Sequence, residues 1–314
     1  MNKNISNKSR KASRLSLFWA EYQLWTPREK IESLLINFSI VLVFIFIMFP
    51  IFWVFGMAFK TTGDILAWPP KFTFVPTLDN FKAVLFGFQK ADHSTTASGI
   101  MTVNFMRSYL NSFIISFGAL AISVVIAIPA AYSLARYKFK GKEDLAFTIL
   151  SFRFAPELLV IIPLFIIFQR IGLYDSYFGL MWVYQLITLP MIIWILRGDM
   201  EQVPQELEQS YMLDGYSRWQ AVLKVVIPIV RPGLVAGSLL AFIYAWNNFI
   251  FGMVLASGRL EPATIAVLKF LSLEKIRYGE ISAAALLICI PSMIFALFAR
   301  KHLVKGLSMG AVKS

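Results

Sequence analysis

The sequence predicts an all-α polytopic membrane protein with six transmembrane helices, and three observations carry that reading. Of its 314 residues, 58% are hydrophobic and only 15% are charged, which lies outside the range of ordinary soluble domains. The apolar residues are gathered into runs at 34–59, 109–134, 145–168, 177–196, 234–256 and 281–299. Each is close to the roughly 20 residues a helix needs to cross the hydrocarbon core. Lys and Arg are unevenly placed: 19 lie in the two tails and the loops at 135–144 and 197–232, against 10 in the alternate connections. Positive charge accumulates on the cytoplasmic side, so both termini are expected there. The same asymmetry accounts for the net charge of +12 without a polyanion, and no nucleic-acid partner is expected.

Residues 1–33 read as a polar, basic cytoplasmic tail, in which 15–24 is weakly amphipathic and suits a helix lying on the membrane surface. The transmembrane body is expected over 34–314, its first run serving as an anchor because no small-residue cleavage site precedes it. The connection 60–107 is too long for a plain linker. Pro69, Pro70 and Pro76 predict extended chain leading into a short helix near Leu78–Phe81, and His93–Gly99 predicts a flexible stretch. Ile171–Ser176 is a tight turn around Gly172 and Asp175. Residues 300–314 form a cytoplasmic tail. With one cysteine, Cys289, no intrachain disulfide is possible. No GxxxxGK[ST] pattern is present, so ATP-driven work would need a second polypeptide. His93 and His302 fall in different compartments, and no Cys/His cluster, triad or carboxylate pair suggests a metal or catalytic site.

The loop at 197–232 contains the segment Val203–Gly233, VPQELEQSYMLDGYSRWQAVLKVVIPIVRPG. Pro204 suits the first turn of a helix, and Gln205, Glu206 and Glu208 sit near its positive end. Leu207, Tyr211 and Met212 supply an apolar stripe. Gly215 suits the left-handed residue that ends a helix. Ser217 is a natural N-cap for a second helix with Trp219, Val222, Leu223 and Val226 at helical spacing. Pro228 and Pro232 are expected to break the chain before the fifth run. A compact helix–glycine–helix in an internal loop implies that something docks on it. The plainer alternative is an amphipathic loop resting on the membrane.

This segment resembles the EAA loop of ATP-binding-cassette (ABC) importer permeases, with Gly215, Val225, Ile227 and Pro228 on its spaced positions and Leu213-Asp214-Gly215 in the form found in sugar permeases. RSYLNSF (Arg107–Phe113), AAYSLARYKFKGK (Ala130–Lys142), IPLF…GLYDSYFGL (Ile162–Leu180), LRG (Leu196–Gly198), AWNNF (Ala245–Phe249) and the tail KGLSMGAVKS resemble the group that includes the maltose permease. The resemblance extends from about Pro69 to the C-terminus. It implies a type I importer permease fold in a bacterial inner membrane. Glu201–Gly215 would be the coupling helix, seated on a cytoplasmic ATPase through Glu206, Glu208, Gln209, Ser210, Tyr211, Asp214, Gly215 and Pro228. The implied partners are a second homologous permease subunit, two ATPase subunits that bind ATP and Mg, and an extracytoplasmic solute-binding protein. No cofactor belongs to this chain and no covalent chemistry is expected of it. Gln209-Ser210-Tyr211 replaces the EAA triplet, which leaves Glu206 or Glu208 to supply the ion pair to the ATPase. The implied cargo is a sugar, oligosaccharide or polyol. A glycerophosphodiester, polyamine or acidic saccharide is the alternative.

Arg153 and Glu157 lie four apart inside the third run and so are expected on one helix face. A charge near the bilayer centre costs roughly 2.5–3.5 kcal/mol on insertion scales, which favours a wet cavity or a mutual ion pair. A solute-binding pair and an internal structural pair fit equally, and Pro156 between them predicts a kink. Trp246, Asn247 and Asn248 are expected in the middle of the fifth span. A ring against a sugar face with amides on its hydroxyls is one reading; packing and interhelical hydrogen bonds is the other. An ion-coupled secondary transporter using Glu157 is the rival class. No inverted repeat or pair of discontinuous helices is visible in the sequence to support it.

Overall fold

The computed structural model describes residues 26–87, 104–271 and 276–310, with side chains as far as Phe298. The surface helix expected at 15–24 and the stretch His93–Gly99 lie outside the described residues. The chain divides into two units, one ending at Gly56 and one beginning at Met57. The described residues are nearly all helical, and their only strand-like feature is an isolated bridge between Leu271 and Ile276.

The first unit is formed by helix α1 (Pro27–Ala58) as far as Gly56. It starts seven residues before the apolar run because a polar first turn is capped reciprocally. The Glu29 amide donates to the Thr26 hydroxyl at 3.3 Å, and the Thr26 amide donates to the Glu29 carboxylate at 2.6 Å. That is a capping box. Between Ile36 and Val54 only Asn37 and Ser39 are polar, so the helix has no wet face, as a lipid-spanning segment requires.

The second unit begins with two short helices, α2 (Thr62–Ile65) and α3 (Asp79–Phe86); α3 is the helix predicted near Leu78. The long α4 (Phe105–Arg136) follows, then α5 (Lys142–Ser151) and α6 (Glu157–Arg170). Next come α7 (Tyr177–Val183), α8 (Gln185–Gln202), α9 (Gln205–Leu213) and α10 (Arg218–Ala221). The chain ends with α11 (Ile227–Asn247), α12 (Ile250–Leu255), α13 (Ala263–Ala266) and α14 (Tyr278–Gly310). Among the described residues four helices are long and apolar enough to span: α1, α4, Arg218–Asn247 and α14. Two bent pairs, α5–α6 at 92° and α7–α8 at 47°, bring the number to six if each pair is one span.

Both bends have local causes. In the third run Ala155 and Pro156 are extended, with ψ of 128° and 115°, as the steric demand of proline on its predecessor dictates. The expected kink is a full break. At the second bend the Gln185 side-chain amide donates to the carbonyls of Met181 and Ala119 at 2.8 and 3.0 Å, and the Thr188 hydroxyl to that of Tyr184 at 2.9 Å. These side-chain bonds tie the bend to α4 and leave the buried amide and hydroxyl paired, as an apolar solvent requires.

The fifth span departs from expectation at both ends. Pro228 and Pro232 do not break the chain: α10 runs into α11 through a π-helical segment, Val222–Val226. Widening the turn there accommodates residues whose ring cannot join the regular ladder. At the other end the helix stops at Asn247, and α12 follows as a separate piece instead of continuing to 256.

The core of this unit is built on α4, which packs against α8 and α11 through small residues: Ala127, Ala131 and Ala241 are fully buried. Close approach of this kind stabilises helices in a solvent that offers no hydrophobic drive between them. Ile192, Leu196, Met200, Val222 and Val226 complete the layer nearest α9.

Candidate functional site

The segment Val203–Gly233 forms as two capped helices. Pro204 is the N-cap residue of α9, and Gly215 follows at φ +92°, the left-handed conformation that a side chain would strain. Ser217 caps α10 in a capping box with Gln220, whose side chain accepts from the Ser217 amide at 2.8 Å. Tyr211 and Tyr216 stack across the intervening turn, 4.3 Å between ring centroids. Glu206, Gln209, Ser210, Asp214 and Pro228 are exposed, Tyr211 is half-buried, and Leu213, Tyr216 and Trp219 present apolar surface to the outside. Leu213 is 88% exposed, an unusual setting for leucine away from lipid.

Glu208 departs from expectation. Placed by the sequence among residues available to a partner, it points inward and is 4% exposed. Arg136 at the end of α4 donates to its carboxylate, Nε to Oε1 at 2.7 Å with Nη2 at 2.5 Å, and Tyr132 donates its hydroxyl to Oε2 at 2.7 Å. Both its oxygens are engaged inside the chain. Tyr132, near the end of α4, thereby ties this carboxylate to that helix.

A second polar junction lies beside the first. Arg197 donates to both oxygens of Glu143, at 2.6 and 2.8 Å, and to Glu201 at 2.9 Å. The hydrogen bonds from Arg197 hold the Glu143 carboxyl below the usual carboxylate range, and the guanidinium is raised in turn. Asp199, midway along the chain between Arg197 and Glu201, is pushed up by burial; its carboxylate lies over Gly233, where a side chain would collide with it. None of these partners was singled out from the sequence. Charged residues clustered at span ends gave a signal, but not which carboxylate meets which guanidinium.

Inside the membrane zone one of the two arrangements expected, a mutual ion pair, does not form, because the break at Pro156 removes the helix face that Arg153 and Glu157 were to share. Arg153 lies in a 3-10 turn, half-buried, its guanidinium 4.3 Å from the Tyr244 ring and 2.7 Å from the Met191 sulfur. Glu157 begins α6 and accepts from the Asn248 amide at 3.3 Å to each oxygen. Asn248 in turn caps α12, accepting the Phe251 amide at 3.1 Å. The ends of two broken helices thus meet at one carboxylate–amide contact. The discontinuities that the sequence did not reveal are present.

Trp246 and Asn247 part company. Trp246 is 2% exposed, donates its indole N–H to the Ile288 carbonyl at 2.9 Å and packs on Tyr109, Phe113 and Phe242. Its ring lies in the packing between helices of this chain. Asn247, at the end of α11 and not mid-span, is exposed and donates to Ser292 at 3.1 Å and to the Ile243 carbonyl at 2.8 Å. Tyr244, one turn earlier, is 48% exposed.

Six apolar segments, the third and fourth bent and the fifth interrupted at Asn248, together with a capped helix–glycine–helix, are the architecture expected of an ABC importer permease. Residues 123–309 match the family described as binding-protein-dependent transport system inner membrane component, and the chain belongs to that family. It is a multi-pass inner-membrane transport subunit. It is 32% identical over 279 residues to the diacetylchitobiose uptake system permease protein DasC of Streptomyces coelicolor, covering 88% of this chain and 96% of that one. It is 31% identical to the trehalose transport system permease protein SugB of Mycobacterium tuberculosis, covering 85% and 92%. Its fold is similar to a chain of a bacterial ABC transporter that imports the acidic polysaccharide alginate, with TM-score 0.70, 19% identity and coverage of 88% and 98%.

Proposed function

We propose that this permease imports a carbohydrate (a sugar, oligosaccharide or polyol) by alternating access, and that α9 is its coupling helix. The observation that carries the coupling role is the stiff α9–Gly215–α10 element, which offers Leu213, Tyr216 and Trp219 beside Glu206, Gln209, Ser210 and Asp214. Such a surface suits a cleft on an ATPase subunit, and ATP and Mg belong to that subunit. A second permease chain and a second ATPase complete the machine, with a solute-binding protein outside. Motion of the clefts on ATP closure carries α9 and rocks the spans. The carbohydrate assignment is supported by the names of the relatives and by the unburied amide, hydroxyl and phenol of Asn247, Ser292 and Tyr244.

Uptake of labelled trehalose into proteoliposomes holding the reconstituted complex tests the reading. Collapsing ion gradients with ionophores while ATP is retained should leave uptake intact. Gly215→Pro should insert normally yet lose its ATPase on co-purification, since φ +92° is closed to proline. Wild-type uptake in that variant would refute the lever. One observation favours an acidic saccharide as the cargo: the half-buried Arg153 guanidinium has no carboxylate partner among the described residues. Replacing Arg153 by Ala together with Glu157 by Leu should shift preference from charged toward neutral sugars; unchanged selectivity would assign the two residues to packing alone.

A further inference from the structure

Glu208 is the buried carboxylate of the coupling helix, and the groups around it span a joint. Between α8 and α9 the chain passes through Val203 and Pro204, both extended, with ψ of 124° and 131°. Two helices meeting at an extended pair can pivot unless something outside the pair holds them. Arg136 does so: its Nη2 donates to the Val203 carbonyl at 2.9 Å while its Nε donates to Glu208 at 2.7 Å. One planar guanidinium therefore grips the pivot and the helix beyond it together. The fixed fork of that group permits both bonds only at one angle between them. Tyr132, one turn back on α4, takes the other carboxylate oxygen at 2.7 Å. The side chains of Arg136 and Glu208 are only 5% and 6% exposed, so neither has water to replace a lost partner.

We propose that Arg136 and Tyr132 are positioning residues that weld the coupling helix to the end of α4 through Glu208. A push on α9 then moves α4 directly instead of being absorbed at the Val203–Pro204 pivot. This inference rests on the coupling role of α9 proposed above. It gives Glu208 a task distinct from that of Glu206 and Gln209: it holds the lever to the membrane helix, while they face the partner. A buried ion pair suits this because separating its members leaves an uncompensated charge. The resulting geometry is all-or-none, and not one that yields gradually.

The test uses the whole importer complex with spin labels at Val125→Cys on α4 and Gln205→Cys on α9, both exposed sites, in a Cys289→Ser background. The distance between labels should stay the same when a non-hydrolysable ATP analogue closes the ATPase subunits. A change of several ångströms would overturn the weld, because α9 would then be pivoting against α4. This measurement needs no change at the clamp, so it decides even where a clamp variant fails to assemble. In a second arm Glu208→Ala should keep its ATPase on co-purification and hydrolyse ATP, while trehalose uptake per ATP falls about tenfold, the size expected of a broken coupling contact. Loss of the ATPase from Glu208→Ala would instead place Glu208 at the partner surface and overturn the proposal. Failure of the docking reading itself is seen separately, as retention of the ATPase by Gly215→Pro.

Discussion

Asp199 lies near the α9 end of α8, its carboxylate over Gly233 and half withdrawn from water. Burial favours its protonated form, so its folded pKa stands above the unfolded value. The stability this contributes is fully present below the unfolded pKa of about 3.9 and is lost as pH rises through the folded one. At neutral pH the charged carboxylate is therefore a cost. Asp199→Asn should raise the melting temperature of the purified chain at pH 7.5, and the gain should shrink toward pH 4 in thermal-shift measurements. Glu143 has the opposite sign. Its pairing with Arg197 contributes above the unfolded pKa and fades as pH falls, but Glu143 itself is open to solvent, which screens the pair. Trp246 and Asn247 make a second residue-scale contrast. Truncating a fully buried aromatic costs about 3–5 kcal/mol, so Trp246→Ala should lower stability. Asn247→Ala should spare stability and weaken solute affinity, and calorimetry beside solute titration separates the two outcomes. Sequence reasoning placed this pair together on residue type. It could not see that neighbouring residues at a helix end point to opposite environments.

At the scale of elements, the capped helices of Val203–Gly233 were legible because their signals are local. Proline at the start, glycine at φ +92° and the Ser217–Gln220 box follow from backbone chemistry over a few residues. Ser217→Ala should cost about 1 kcal/mol, seen as faster hydrogen exchange at the amides of 218–221 with little change elsewhere. The broken third span was half-legible: Pro156 announced a disturbance, but whether a proline kinks or ends a helix depends on what receives the freed groups. Here Asn248 of another broken helix meets Glu157, the first residue of the new one. The uninterrupted passage through Pro228 and Pro232 is the converse case. Two prolines that read as a stop are absorbed by a π segment, which no local pattern advertised.

For the whole molecule, the charge distribution predicts that both ends of the chain face the cytoplasm. A phosphatase active only outside the cytoplasm, fused after Leu78, should be active, and the same enzyme fused after Ser314 should be silent. The reverse pattern would invert the protein and remove α9 from any cytosolic ATPase. Membership of a binding-protein-dependent importer family also removes the rival secondary-transport reading. Its sequence-level argument, the apparent lack of discontinuous helices, did not survive the structure. Broken helices serve here within an ATP-driven class.

What the sequence determined alone was everything that short range can encode: six apolar segments, their charge asymmetry, and a helix–glycine–helix element between two of them. Hydropathy and caps act over at most a few turns, so they are written in consecutive residues. Tertiary structure alone decided the pairings. It turned Glu208 inward onto Arg136, 72 residues away, buried Trp246 against Ile288, and parted Arg153 from Glu157. A desolvated charge accepts whichever partner the packing brings within hydrogen-bond reach, and packing is a property of helices that are distant along the chain.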